Sequence, residues 1–488
     1  MLGGKRPKGL NEKLLAVAVD SFSSTERTTV PSLFRGRSAA GAVVKVAWPS
    51  VATGLLRTAL GQIDAYQIGR LGTVELQAIS AASFAVWLVY ILGELASVGV
   101  HALSSEAEGA GKREIIGEEI AQGAYFAILA SVFAYFLSGA GFLRRYFAVV
   151  GVRDPRVALA GASYLRVTAA YGCLPLSLSC VATAGFKGIG ETRAALAIAG
   201  ATVFMNAALN SYFIGLWGVP GAAWATNLSA LVAFFASLIV LRQRHDVRVP
   251  FLTFPKVKKI FRIFSIGFPL ASSGALFSLV YVWLGAIVAS VDPLFLAALG
   301  VAHRIEAVAY TICEGYAVGA ATCVGQWLGA NDTKKARGAA AAAAKVSLIT
   351  IVPVALLTFL FAPKAAAVFV SDPLIVAVAV DYLRIVSLVF PLMAIEAAYE
   401  GALLGAQRTA PAFFVTLLGS GLRIPIALAL LPNLGVNGVW TAIALTTLFK
   451  APAKYLAFKH LSLGGTTTAN HAAAWDSSSN GSSSISKT

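Results

Sequence analysis

Between residues 42 and 460 the chain repeats one pattern twelve times: a long apolar run, then a short break of glycine, proline or charge. The runs cover approximately 42–69, 75–104, 114–140, 156–186, 192–215, 218–241, 260–290, 294–328, 335–361, 373–406, 409–431 and 435–460. Each meets the roughly 20 residues an α-helix needs to cross a bilayer. Several exceed that length, which predicts tilt or extension beyond the membrane. The expected fold class is an all-α integral membrane protein with twelve transmembrane helices.

Composition supports the pattern: 13% of residues are charged and the mean hydropathy is +0.75, where a soluble domain carries about 25% charge. In a soluble chain the net charge of +16 would point to nucleic acid. Here it fits the excess of Lys and Arg in cytoplasmic loops, so no nucleic-acid partner is expected. The basic residues before the first run and between Arg242 and Arg262 fall on one side, together with Lys112, Arg113, Lys334, Lys335, Arg337, Lys454 and Lys459. That side is expected to be cytoplasmic, with both termini on it, in a multi-pass cell-membrane protein. Cys173, Cys180, Cys313 and Cys323 lie in apolar runs without C-x-x-C spacing and read as small core residues.

An internal repeat organises the twelve runs. A shift of about 220 residues sets Pro49 on Pro269, Tyr90 on Tyr310, Glu94 on Glu314, Val98-Gly99 on Val318-Gly319 and Gly109-Ala110 on Gly329-Ala330. Slightly smaller shifts set Tyr164-Leu165-Arg166 on Tyr382-Leu383-Arg384, Pro175 on Pro391, and the Gly-Val-x-Gly of 218–221 on that of 435–438. The expected layout is two six-helix bundles related by an internal pseudo-two-fold axis along the membrane normal. Its parts are a basic cytoplasmic tail (1–41), a first bundle (42–242), a cytoplasmic linker (243–259), a second bundle (260–461) and a disordered Ser/Thr-rich tail (462–488).

These residues also resemble the multidrug and toxic compound extrusion (MATE) family, part of the superfamily that includes oligosaccharidyl-lipid and polysaccharide flippases. The resemblance spans about 42–460. It rests on Ile63-Asp64-x-x-x-Ile68-Gly69-x-Leu71-Gly72, Gly188-x-Gly190-Glu191-Thr192-Arg193, Asn206-x-x-x-Asn210-x-x-Phe213-Ile214, Gly218-Val219-x-Gly221-Ala222-Ala223-x-Ala225-Thr226 and Val324-Gly325-Gln326-x-x-Gly329-Ala330. It implies a secondary antiporter, not an enzyme, that exports organic cations or drugs by alternating access. Protons or sodium would drive it, without a cofactor, in a monomer whose partners are small organic substrates and the bilayer.

Asp64 is the leading candidate for ion coupling. A carboxylate in an apolar helix costs about 2.5–3.5 kcal/mol on insertion scales and persists with a partner or a water-filled cavity. One negative charge that a proton, a sodium ion or a cationic substrate can each neutralise is the minimum an antiporter needs. The alternative is a structural carboxylate tied to Arg57, about 10 Å away along the helix axis. The family's amino-terminal cation site implies Asn206, Asn210 and Thr226 beside it. Many relatives carry Asp where this chain has Asn210, which removes one charge. Asn206 and Asn210 share a helical face, and interhelical packing is their other reading.

The second bundle has Leu284 where the first has Asp64. His303, Glu306, Tyr310 and Glu314 on the eighth run, Glu396 and Glu400 on the tenth, and Arg423 on the eleventh are its candidates for a cavity or for a buried charge network. Arg423 is a candidate ion partner for one of these acids. Glu94 mirrors Glu314. Tyr281 and Trp283, with Phe277, offer aromatic faces to an organic cation or to packing. No metal site is expected beyond sodium at Asp64. A lipid-linked saccharide flippase is the alternative function, and it would favour a cavity rich in Arg and Lys. No H-E-x-x-H, P-loop or G-x-S-x-G motif supports an enzyme.

Overall fold

A computed structural model describes residues 30–251 and 253–463. The amino-terminal residues 1–29 and the tail from 464 lie outside the described residues. Twelve helical spans run in chain order: Ala39–Gly69, Thr73–Gly109, Arg113–Leu137, Pro155–Ile189, Thr192–Trp217, Val219–His245, Val257–Val291, Pro293–Gly329, Thr333–Ala367, the pair Pro373–Ser387 and Phe390–Gly405, Ala410–Leu434, and Val436–Lys459. Ten are individually long and apolar enough to cross a membrane, and the tenth-span pair qualifies as one span bent by 55°. Val436–Lys459 falls short in hydropathy because Asn437, Lys450 and Lys454 dilute it.

The breaks carry ordinary stop and start signals. Asp154, Asp292, Asp332 and Asp372 each accept a backbone N–H at the start of a helix, the usual use of Asp at an N-cap. Asp154 lies outside the membrane spans, and the Arg156 side chain that binds it holds its carboxyl below the usual range. Ahead of the mirrored Pro175 and Pro391 the helices depart from α geometry, through a π-helical stretch at Val167–Gly172 and through the bend between Ser387 and Phe390. A separate helix, Ala140–Val149, lies between the third and fourth spans.

Glycines hold the two bundles together. A Cβ at Gly109 would collide with the Gln326 carbonyl, and one at Gly329 with the Glu106 carbonyl. The second and eighth spans therefore cross backbone to backbone, each presenting the same residue to the other across the 220-residue shift. Gly99 against Ile263 and Gly319 against Val43 repeat the reciprocity. Only glycine permits such approach. All described hydrogen bonds between the bundles lie in this half: His101 Nε2 with Thr322 Oγ1 at 2.9 Å, Thr322 to the Lys187 carbonyl at 2.8 Å, Gln326 to the Gly188 carbonyl at 2.9 Å and Gln407 to Glu106 at 2.5 Å.

The segment joining the bundles lies on this same face, and we call it the linker face. It is pinned to the third span by Lys256 on Glu118 at 2.6 Å, by Lys259 on Glu119 at 3.2 Å and by Tyr125 donating to the Thr253 carbonyl at 2.7 Å. The end of the expected amino-terminal tail also packs here. Leu33 and Phe34 are buried, Phe34 against Trp327 at 4.6 Å, because two apolar side chains in a polar segment find a core under the eighth span.

Candidate functional site

The polar groups of the first bundle meet near its distal end. Asp64 stands five residues before the end of the first span, Asn206 and Asn210 on the fifth and Thr226 on the sixth. Asn210 Nδ2 donates to Asp64 Oδ1 at 2.5 Å and to Asn206 Oδ1 at 3.1 Å, and Asn206 Nδ2 donates to Thr226 Oγ1 at 3.1 Å. With its amide turned, Asn206 instead donates to Asp64 Oδ1 at 3.1 Å and accepts from Thr226. Either orientation joins one carboxylate, two amides and a hydroxyl from three spans. Both asparagines are fully buried, and Asn210 Oδ1 and the nearby Gln67 Oε1 have no partner among the described residues. Unmatched oxygens beside a carboxylate are the ligand type that sodium-like hard cations take.

Asp64 makes no ion pair among the described residues. Arg57 instead pairs with Glu94, Nη1 to Oε1 at 2.7 Å, and both side chains are 46% exposed. Tyr310, at 47%, and Glu314 on the eighth span are exposed as well. The mirrored Glu94 and Glu314 thus lie on accessible faces of two spans that border the junction between the bundles.

The second bundle separates its candidates into two groups and sets one aside. Glu396 is enclosed by Lys450 and Lys454, each at 2.9 Å, and Lys454 also binds Glu400. Lys454, expected among the cytoplasmic loop charges, has a side chain only 1% exposed; it is drawn inside because two carboxylates one helical turn apart await it. Lys450 was overlooked by sequence reasoning. Its signal was present: Glu396 and Glu400 are four apart, and so are Lys450 and Lys454, so the two helices present matching charge ladders.

A chain of rings forms the other group. Phe277 meets Tyr281 at 4.5 Å, Tyr281 meets His303 at 4.7 Å, His303 meets Tyr382 at 5.6 Å, and Tyr382 meets Trp440 at 4.9 Å. Glu306 accepts from the Tyr382 hydroxyl at 2.6 Å. Arg423, expected as an ion partner for one of the acids, makes no ion pair among the described residues. It donates to Thr446 Oγ1 at 3.0 Å and stands over the Phe277 and Tyr281 rings at 5.5 Å, because the acids are already taken by lysine and tyrosine. Trp283, 57% exposed, joins none of these contacts. It is two residues from Tyr281, about 200° around the helix, and so occupies another face.

A family model, MatE, matches residues 49–212 and again 269–429. Its starts at 49 and 269 reproduce the 220-residue shift and confirm the duplication. Curated relatives match most of their own length. They include a probable multidrug resistance protein NorM of Thermotoga maritima, 25% identical over 427 residues, 85% of this chain and 91% of that protein. The probable multidrug resistance protein NorM of Deinococcus radiodurans is 29% identical over 418 residues, 82% of this chain and 90% of that one. Among solved structures, a MATE protein in the bent conformation superposes with a TM-score of 0.80 at 20% identity, covering 87% of this chain and 95% of that one. The fold, the duplication and the matched spans together place the chain in the MatE family of membrane transporters, which are not enzymes.

Proposed function

We propose that the protein is a multidrug exporter that exchanges organic cations for protons or sodium ions at Asp64. The observation that carries this reading is the cluster of Asp64, Asn206, Asn210 and Thr226, a single carboxylate with no basic partner among the described residues and with unmatched oxygens around it. A proton, a sodium ion and a cationic drug compete for one negative charge, so loading one favours release of another. The names of the bacterial relatives support the drug class. Arg57, Glu94, Tyr310 and Glu314 then line the substrate path between bundles.

In this reading the linker face is cytoplasmic, with both termini on it, and the bundles are closed there and open toward the distal face. Export proceeds when the clasp between the second and eighth spans releases and the bundles rock about the glycine crossing. One chain supplies both bundles, so a monomer suffices, and residues 42–242 and 260–461 move as the two units. The test is efflux of fluorescent organic cations from everted vesicles under imposed pH and sodium gradients. Asp64→Asn is expected to reduce gradient-driven efflux to background at normal expression. Efflux at the wild-type rate from that variant overturns the proposal.

A further inference from the structure

Equivalent positions of the two bundles carry opposite polarity. The 217-residue shift that sets Gly218-Val219-x-Gly221 on Gly435-Val436-x-Gly438 places Arg423 opposite Asn206, Ala427 opposite Asn210 and Ile443 opposite Thr226. In the first span the 220-residue shift places Leu284 opposite Asp64. Leu284, Ala427 and Ile443 are each at most 2% exposed. Where the first bundle holds a carboxylate, two amides and a hydroxyl, the second holds apolar side chains around one guanidinium.

That guanidinium has no ion-pair partner within contact distance among the described residues. Arg423 is 2% exposed, and its Nη1 has no hydrogen-bond partner among the described residues. Its neighbours among the acids are engaged elsewhere, Glu306 by the Tyr382 hydroxyl and Glu396 by two lysines. A buried guanidinium with an unmatched arm and no direct ion pair is costly in a membrane interior. Beside Asp64 the unmatched atoms Asn210 Oδ1 and Gln67 Oε1 are acceptors; on the Arg423 and ring cluster the unmatched Arg423 Nη1 and Trp440 Nε1 are obligate donors. His303 Nε2, also without a partner, lies on the same chain of rings.

We propose that Arg423 anchors an anion-binding site inside the second bundle, which takes a compact anion, either the carboxylate of an organic acid or a halide. Thr446 fixes one edge of the guanidinium, the Phe277 and Tyr281 rings lie beneath it, and the free Nη1 arm donates to the anion. A planar fork of this kind suits a carboxylate, and the surrounding rings favour an aromatic acid. The approach runs from the cleft, since Phe277 stacks at 6.4 Å on Tyr310, which is 47% exposed. The site is distinct from the exchange at Asp64 and requires no coupling ion.

The experiment is calorimetric titration of the full chain in lipid nanodiscs at fixed pH in sodium-free potassium buffer. Potassium benzoate, potassium acetate and potassium chloride are the probes. Saturable binding of benzoate and acetate alone assigns the site to carboxylates, and binding of chloride as well assigns it to compact anions in general. Arg423→Gln is expected to weaken the binding by at least about tenfold, the weight of a charge-assisted hydrogen bond. Absence of saturable binding by all three salts overturns the proposal, as does unchanged affinity in a folded Arg423→Gln. Should that variant fail to fold, Arg423→Lys decides: it keeps the charge and loses the planar arm, so weakened benzoate binding supports the site and wild-type affinity overturns it.

Discussion

Among the described residues the first bundle leaves Asp64 free of any basic partner, whereas the second ties Glu396 to two lysines. Among the described residues Asp64 is approached by amides alone, and in the function proposed above its charge is neutralised by an ion or substrate that comes and goes. Glu396 has two ammonium groups at 2.9 Å supplied by the chain itself. The same problem, an acid in an apolar bundle, is met in the second bundle by lysines of the chain itself and, in the function proposed above, in the first bundle by an exchangeable cation.

The sharpest way to break this comparison is to remove the carboxylate from each bundle and measure thermal unfolding in detergent. Glu396→Gln leaves two buried ammonium groups with only Glu400 to serve them, and a loss of roughly 3–5 kcal/mol is expected. Asp64→Asn exchanges a carboxylate for an amide among amides and strands no charge. Its unfolding midpoint is expected to stay close to wild type. Equal losses in the two variants would mean that Asp64 is a structural charge after all.

Asn210 offers a finer test. Restoring the second acid with Asn210→Asp places two carboxylates at one point, where a cation gains attraction from both. Sodium affinity in a calorimetric titration is expected to rise by about tenfold, corresponding to about 1.4 kcal/mol. No gain would assign Asn210 to packing between the fifth and first spans and leave Asp64 to act alone.

How much of this was legible beforehand depended on whether the cause was local. The twelve spans follow from run length, and the duplication from paired Pro, Tyr, Glu and Gly positions. Asp64 and its amides were readable because their spacing and family motif point to one site. Glu396 and Glu400 were readable as cavity or charge-network residues, but their partners were not, because Lys454 looks like a loop charge and Lys450 stands out only once the tenth span is known to lie beside the twelfth. The helix irregularities at 167–172 and 388–389 lie a few residues ahead of Pro175 and Pro391, which each remove a backbone donor inside a span; their position is not written in the sequence. Arg423 was expected to find an acid because nothing in one dimension shows that Tyr382 and the lysines reach the acids first.

The smallest effect concerns which face is closed. Thr322 both meets His101 at 2.9 Å and donates to the Lys187 carbonyl at 2.8 Å, so it joins the eighth span to the first bundle from two directions. Thr322→Val keeps the shape and deletes the hydroxyl. Gln326 still bonds the Gly188 carbonyl and the glycine crossing is untouched, so the clasp is weakened without being lost. A net hydrogen bond is worth about 1 kcal/mol, which corresponds to about a fivefold shift in a two-state population. Spin labels on the distal ends of the first and seventh spans are expected to report a larger fraction of short distances in the variant, as the bundles close there. An unchanged distance distribution would place the resistance to closure in the backbone crossing of Gly109 and Gly329, and Thr322 would then serve only to satisfy the Lys187 carbonyl.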